Sequence, residues 1–304
     1  MVMKVIYLSV ILVMLEACTS KKSDVPSFDL AAYQLELESW HQKRVEELKG
    51  PTGYLNLAGL FWLKDGINTF GSGQKNDIIF PEGKIAERAG FLLLKNNIVT
   101  IEAVPGVAIK TNGQPIKALV AYHPDSVKTP EMEYESLQWF IIRRDDKFGV
   151  RLRDFKTPEL ENFRGIERYP VDAAWRLEAK FVRSDSTKRI DITNVLGQTT
   201  SQPSLGTLIF TIREKEYHLD ALDEEGDDYF TMFGDATNAK ETYGAGRYLY
   251  VRKPDASGRT IIDFNKAFNP PCAFTAFATC PLPPRQNIMD LPVTSGEKNY
   301  ETHH

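Results

Sequence analysis

The sequence predicts a mainly β protein in which an N-terminal helix is followed by two β-rich lobes. One stretch near the start has helical periodicity of its apolar residues. From residue 53 onward, short apolar runs alternate with Gly, Asn, Asp and Pro, a pattern typical of strands and turns. With 304 residues, of which 42% are hydrophobic and 26% charged, the chain is long enough to bury a sizeable core.

The first residues have the pattern of an export signal. A lysine precedes a short apolar run, and the letters LEAC at 15–18 resemble the lipobox of bacterial lipoproteins. We therefore expect a signal peptide over 1–17, a lipid on Cys18, a polar tether over 18–27, and a membrane-anchored protein of the cell envelope. The alternative is a short transmembrane anchor, although a spanning helix needs about 20 apolar residues.

The helix is predicted over residues 28–50. Apolar side chains recur at helical spacing from Leu30 to Leu48, Ser27 is placed to cap the N-terminus, and Gly50 precedes a proline that stops the pattern. Because one face is apolar and the other is charged, we expect the apolar stripe to dock on the β-rich part of the chain.

The first lobe is predicted over residues 51–158 as a β-sandwich. Short strands alternate with turns, and Asn112-Gly113 is a strong hairpin signal. Candidate strands cover residues 54–57, 68–70, 77–80, 90–94, 98–103, 108–111, 116–121, 137–143 and 148–152.

This lobe resembles a forkhead-associated domain, the β-sandwich that binds phosphothreonine. The resemblance rests on Phe70-Gly71-Ser72, on the letters NDIIFP at 76–81 and on TNGQ at 111–114. Ser72 occupies the position of that family's phosphate-gripping arginine. The resemblance therefore implies the sandwich fold, and we expect no phosphate-dependent binding of phosphothreonine peptides.

The second lobe is predicted over residues 159–304, after a loop at 158–170. Alternation of apolar and polar residues over 175–182 predicts a strand with one buried face. Further candidate strands cover residues 189–195, 206–213, 216–222, 229–233, 247–252 and 259–264.

Residues 263–287, which we name the C-terminal motif, fit neither a plain strand nor a plain helix. Clustered prolines fix the backbone and remove hydrogen-bond donors, so the path is irregular and preset. Rigid irregular segments rich in polar and aromatic side chains often carry function. We therefore expect one concave site here, lined by ligand-binding side chains of Tyr243, Arg247, Asp263, Asn265, Asn269 and Thr275, with the two cysteines behind them.

Three blocks of sequence resemble the signature blocks of the bacterial family of unknown function numbered 1684. They read GYLNLAGLFWLKDGINTFG, GDATNAKETYGAGRYL and DFNKAFNPPCAFTAFATCPLPPRQN. The resemblance runs over most of the chain after Phe28. It implies an architecture and the location of a site, and it implies no reaction.

Asp235, Glu241 and Asp263 are the candidate catalytic carboxylates, because each is placed at the end of a predicted strand beside glycine, threonine or asparagine. Converging carboxylates serve as acid and base or bind a hard cation, whereas isolated ones cap turns. Arg247 has two readings as well. It presents a guanidinium to an anionic ligand, or it forms a structural ion pair with Asp235 or Asp263.

Cys272 and Cys280 are an even pair once Cys18 is assigned to the lipid. They form a disulfide, remain as two buried thiols, or bind a metal whose further ligands no nearby histidine supplies. We expect no metal and no cofactor, because neither zinc-binding spacing nor Walker, Rossmann or serine-hydrolase fingerprints occur. A net charge of −4 gives no footprint for nucleic acid.

Three hypotheses for function follow. The first is an exported lipoprotein that binds a small polar or anionic ligand in a cleft walled by the C-terminal motif. The second is a hydrolase-type enzyme that uses the carboxylates and Arg247 in the same cleft. The third is a structural envelope lipoprotein in which the motif locks the core.

Overall fold

The computed structural model describes residues 28–300 and consists of an N-terminal helix followed by two β-rich lobes, as predicted. The signal peptide, the lipidation site Cys18 and the tether lie outside the described residues. Helix α1 spans Leu30–Lys49, and Asp29 caps it by accepting hydrogen bonds from the backbone of Ala31 and Ala32. The short helix α2 spans Pro158–Asn162. Within residues 28–300, neither helix is long and apolar enough to cross a bilayer.

The strands have the following bounds. In the first lobe they are β1 Leu57–Trp62, β2 Gly66–Gly71, β3 Ile78–Ile79, β4 Gly90–Lys95, β5 Ile98–Ala103, β6 Lys110–Thr111, β7 Gln114–Pro115, β8 Ala118–Tyr122, β9 Met132–Tyr134, β10 Leu137–Arg144 and β11 Lys147–Asp154. In the second lobe they are β12 Arg176–Arg183, β13 Arg189–Thr193, β14 Thr199–Pro203, β15 Gly206–Ile212, β16 Lys215–Ala221, β17 Asp223–Glu225, β18 Asp228–Phe233, β19 Arg247–Arg252 and β20 Arg259–Asp263.

The first lobe is a β-sandwich. A 6-stranded sheet in the order β1-β11-β10-β9-β6-β7 and a 5-stranded sheet in the order β3-β2-β4-β5-β8 enclose one apolar core. The strand predicted over 54–57 is wrong: the chain turns there and β1 starts at Leu57. The turn forms because the Asn56 side chain donates hydrogen bonds to the carbonyls of Gly50 and Pro51 after helix α1.

The second lobe contains a 4-stranded sheet, β16-β15-β12-β20, a 3-stranded sheet, β17-β18-β19, and the hairpin β13-β14. Its main core includes Ala179 and Phe181, which lie on the face of β12 that the sequence predicts to be buried. Trp175, from the 3₁₀ turn before β12, belongs to the same core. The loop predicted over 158–170 is partly wrong, because Thr157 accepts a hydrogen bond from the backbone of Leu160 and starts α2.

Helix α1 packs on the second lobe. The Tyr33 hydroxyl donates a 2.8 Å hydrogen bond to Asp263, and Lys266 pairs with Glu36. At its far end the buried Leu48 packs into a small core with the C-terminal motif. Between these two anchored ends, Trp40 packs against a small core that includes Met232 of β18 and Tyr248 of β19.

Candidate functional site

Arg247 lies in the core and not in a cleft. Its side chain is 0% exposed, and its Nη2 donates a 2.9 Å hydrogen bond to Asp235, which is equally buried. The guanidinium also donates to the backbone carbonyls of Val293 and Ser295 and lies 5.2 Å from the centre of the Phe233 ring. We name this set the arginine core. Because the Arg247 side chain is fully enclosed, a ligand cannot reach it, and its predicted role in ligand binding is wrong.

Asp235 completes the arginine core. One carboxylate oxygen accepts hydrogen bonds from the backbone and hydroxyl of Thr237 and from the backbone of Val293, at 2.8, 2.6 and 3.1 Å. The other oxygen accepts from Arg247. A carboxylate with all these partners is held in place and has no access to substrate, so Asp235 has a structural role and not the predicted catalytic one.

Gly246 allows β19 to begin beside this core. Its φ is +88°, and a Cβ at this position would lie 2.6 Å from both the Phe233 carbonyl oxygen and a Pro283 side-chain carbon. No residue with a side chain fits this approach. Gly246 therefore serves close packing.

The other residues of the predicted site satisfy one another or the backbone. Asp263 caps the 3₁₀ turn after β20 and accepts hydrogen bonds from Tyr33 and Asn265. Asn269 is 0% exposed and donates to the Lys298 carbonyl, and Thr275 caps a turn within the motif. Asp263 and Asn265 share one network under α1, whereas Asn269 and Thr275 are held elsewhere, so these groups do not line a common concave surface.

Glu241 lies apart from the other two carboxylates. It accepts a 3.1 Å hydrogen bond from the Tyr169 hydroxyl at the edge of a polar cavity of about 850 Å³ between α2 and the C-terminus. Burial, followed by this hydrogen bond, raises the pKa of Tyr169 to about 12. The three predicted catalytic carboxylates therefore do not converge. Among the side chains that the structure describes, which lie within residues 28–222 and 226–300, no cluster of His, Cys, Asp and Glu is arranged to hold a metal ion.

Cys272 and Cys280 are joined by a disulfide, one of the three alternatives that the sequence left open. The closed loop contacts the first lobe, since Arg151 donates to the carbonyl of Phe277 and Arg144 to Thr279. The bonded pair thus holds the C-terminal motif against both lobes.

A cleft does lie against the C-terminal motif, but other residues line it. Its volume is about 960 Å³, and its walls come from α1, from β18 and β19, and from the prolines that flank the disulfide. We name it the aromatic cleft after the side chains that dominate its lining, which are Trp40, Tyr54, Phe230, Tyr248, Tyr250 and Phe268.

The aromatic wall of the cleft consists of side chains from β18 and β19 and of Phe268 from the C-terminal motif. Phe230 packs against Tyr248 and Tyr250 at centroid distances of 5.0 and 5.5 Å, and Phe268 stacks on Tyr250 at 5.6 Å. Tyr248 donates a 2.8 Å hydrogen bond to the Pro281 carbonyl, which fixes the motif against the strand. Tyr250 remains 42% exposed, so this wall presents a large aromatic surface to the cleft.

Arg44 is the charged residue that packs most closely on the aromatic wall of the cleft. Its guanidinium lies 4.8 Å from the centre of the Phe268 ring, its Nη2 donates to the Asn269 carbonyl at 2.9 Å, and its Nε pairs with Glu297 at 3.3 Å. Glu297 is buried and also accepts a 2.6 Å hydrogen bond from the Asn269 backbone. Burial raises the pKa of Glu297, and the Arg44 charge opposes that rise.

The position of Tyr54 in the cleft depends on the turn after α1. A Cβ on Gly53 would lie 2.1 Å from the carbonyl oxygen of Leu48, so only glycine lets the chain fold back over the helix end. The sequence contains these aromatic residues, but its periodicity assigns Trp40 and Arg44 to one helical face without showing what that face covers.

The arrangement is suited to binding. Aromatic faces supply contact area with few degrees of freedom, and the polar groups at the rim orient a ligand.

Comparisons with known proteins agree with the family resemblance. Residues 161–298, most of the second lobe, match the model of the family described as "Protein of unknown function (DUF1684)". No curated protein matches the chain.

Two solved structures are similar to parts of the chain. An uncharacterized protein of Haloarcula marismortui, solved by NMR, is 27% identical and covers 49% of this chain and 83% of its own, with a TM-score of 0.40. A structure from a study of phosphothreonine-dependent FHA domain interactions is 13% identical and covers 31% of this chain and 92% of its own, with a TM-score of 0.20.

Proposed function

We propose that this chain, whose second lobe carries the pattern of that family of unknown function, is an exported lipoprotein that binds a small polar ligand in the aromatic cleft. The observation that carries the proposal is the cleft itself. Its volume of about 960 Å³ lies at the upper end of the range of about 300–1,000 Å³ that is usual for small-molecule sites.

The composition of the cleft supports binding over simple packing. Large aromatic side chains that serve only the core are buried, whereas Tyr250 is 42% exposed and lines a concavity with the half-buried Trp40 and Tyr54. Exposed aromatic surface in a concave site is typical of ligand-binding and interaction sites.

The hydrolase hypothesis has less support. Asp235 is buried in the arginine core, Glu241 lies at the polar cavity and Asp263 caps a turn under α1. Acid and base groups act on one substrate only when they approach the same bond. The structural hypothesis is supported for Arg247 and Asp235 but offers no reason for the aromatic cleft.

A thermal-shift screen tests ligand binding. The full chain is mixed with a library of sugars, amino acids, carboxylic acids and nucleosides, and a compound bound to the native state raises Tm by mass action. We expect at least one class to raise Tm of the wild type and to lose that effect in Trp40→Ala. The effect should persist in Trp62→Ala, which removes an exposed tryptophan of the first lobe. A library without any stabilising compound contradicts the proposal.

The lipid anchor is tested separately. We expect mass spectrometry of membrane-extracted protein to find a mature chain that begins at a lipidated Cys18, because of the LEAC pattern at 15–18. An unmodified peptide that spans Ala17 and Cys18 would contradict this part of the proposal and leave ligand binding untouched.

A further inference from the structure

The polar groups around the aromatic cleft include both donors and acceptors. Lys43 supplies a donor, Glu47 and Asp228 supply acceptors, and the hydroxyls of Thr52 and Tyr54 can do either. Lys43 and Glu47 are 3.8 Å apart and well exposed, so a ligand can compete with water for both at little cost.

The described side chains of the lining carry charges of both signs. They include two cations, Lys43 and Arg44, and two anions, Glu47 and Asp228. Arg44 also pairs with Glu297, which is buried. A phosphate or carboxylate ligand would meet the two carboxylates, and a quaternary ammonium would meet the two cations. Neither class of charged ligand is complementary to the whole cleft.

The aromatic surface selects a ligand with a ring-shaped apolar face. Tyr250 is the exposed ring of this wall, the buried Phe268 stacks on it with an interplanar angle of 15°, and Phe230 stands at an angle beside it. Aromatic faces carry partial negative charge and pack well on C–H groups, which carry partial positive charge. A pure hydrocarbon would satisfy these faces but would desolvate Asp228 and Lys43 without replacing their hydrogen bonds.

We infer that the ligand of the aromatic cleft is a neutral saccharide. A sugar ring combines C–H faces for the aromatic wall with hydroxyls that both donate and accept, which matches the mixed rim. The cleft is open and, at about 960 Å³, large enough for more than one ring, so the ligand class is an oligosaccharide. This inference rests on the proposed function, since it names the ligand class of that same cleft.

The test is isothermal titration calorimetry of the full chain. The probes are neutral oligosaccharides of two to four units from the cello, malto, xylo and chito series. Oligogalacturonate, benzoate and tetramethylammonium represent the acidic, aromatic and cationic alternatives. We expect binding of at least one neutral series and at least about tenfold weaker binding in Trp40→Ala, because a central aromatic contact carries much of the affinity.

Controls separate loss of binding from loss of fold. Trp62→Ala should bind as the wild type does, and Tyr250→Ala replaces Trp40→Ala as the test if the latter fails to fold, since Tyr250 is already largely exposed. Binding of benzoate, tetramethylammonium or oligogalacturonate without any neutral series overturns the saccharide inference and leaves the proposed function standing. If these probes and the mixed library all fail to bind, both fail. Neutral saccharide binding that is unchanged in Trp40→Ala and Tyr250→Ala also overturns the inference.

Discussion

Two arginines, one in the second lobe and one in the helix that packs on it, show how different surroundings give one side chain different roles. Arg247, beside a glycine-rich stretch, is 0% exposed and forms an ion pair with the equally buried Asp235. Arg44, in the middle of a helix, keeps 11% of its side chain exposed, pairs with the buried Glu297 and lines the aromatic cleft. The glycine-rich stretch that ends at Arg247 therefore contributes to the core, whereas helix α1 supplies the surface that can contact a ligand.

Replacing Arg247 should have the largest effect. Arg247→Met leaves Asp235 buried without its charge partner, which we expect to lower the free energy of unfolding by about 3–5 kcal/mol. Urea denaturation measures the change. Arg252→Met is the matched control on the same strand, because Arg252 pairs with Asp227 at the surface, where both side chains are more than two-thirds exposed. The control should change by less than about 1 kcal/mol. Equal effects would contradict the buried role of Arg247.

Replacing Arg44 should cost less and should depend on pH. Arg44→Met leaves Glu297 unpaired, and we expect a loss of about 3 kcal/mol at pH 7, the lower end for a buried pair, since Arg44 keeps some contact with solvent. Burial raises the pKa of Glu297 above its ordinary value of 4.5, and losing Arg44 raises it further.

The sign of the pH dependence follows from that shift. An acid with a raised pKa in the folded state contributes stability that is present below its unfolded pKa and lost as pH rises through the folded value. The difference between Arg44→Met and the wild type should therefore shrink from pH 7 to pH 5. Lys43→Met, which breaks only an exposed pair, is the control. A difference that does not change with pH would contradict the assigned partner.

The disulfide should contribute an intermediate amount. Cys272 and Cys280 are 8 positions apart, and closing so short a loop restricts the unfolded chain by about 2–3 kcal/mol in the chain-entropy model. Urea denaturation of the double variant Cys272→Ser/Cys280→Ser measures it. Because Pro271 and Pro281 beside the cysteines line the cleft, the variant should also show faster hydrogen exchange than the wild type at the amides of the disulfide loop, with exchange at Arg247 unchanged. Unchanged stability would contradict this role.

The smallest expected effect concerns His41, one helical turn before Arg44. Burial, followed by the charge of Arg168, lowers the pKa of His41 below its ordinary 6.5. A base with a lowered pKa contributes stability above its unfolded pKa and loses it as pH falls through the folded value. We expect the wild type to lose less than about 1 kcal/mol between pH 6.5 and pH 5 from this group. His41→Gln should lack that loss, whereas His123→Gln, at an exposed histidine, should retain it.

Much of the fold follows from the sequence, because strand and helix periodicity are local. The pattern predicts α1 to within two residues at either end, and β5 and β19 with their observed bounds. The turn at Asn56 was missed because it depends on carbonyls at the helix end.

The site was harder to predict because it depends on contacts between distant segments. The sequence around Arg247 does not indicate that its side chain is buried. It is enclosed by residues 293–297, which are distant in the sequence and accept its hydrogen bonds. Trp40 and Tyr250 are 210 positions apart and belong to segments with no shared motif. The carboxylates Asp235 and Asp263 take the capping roles that the sequence offered as the alternative to catalysis.

The contrast between the two arginines is tested most directly by a crystal structure of the full chain. The crystals should contain the compound that gives the largest increase in Tm. Our account predicts density for the compound between α1 and the strands β18 and β19, in contact with Trp40 and Tyr250, while the Arg247–Asp235 pair keeps its 2.9 Å contact. Density at the turn over 235–247, with the aromatic cleft empty, would contradict it.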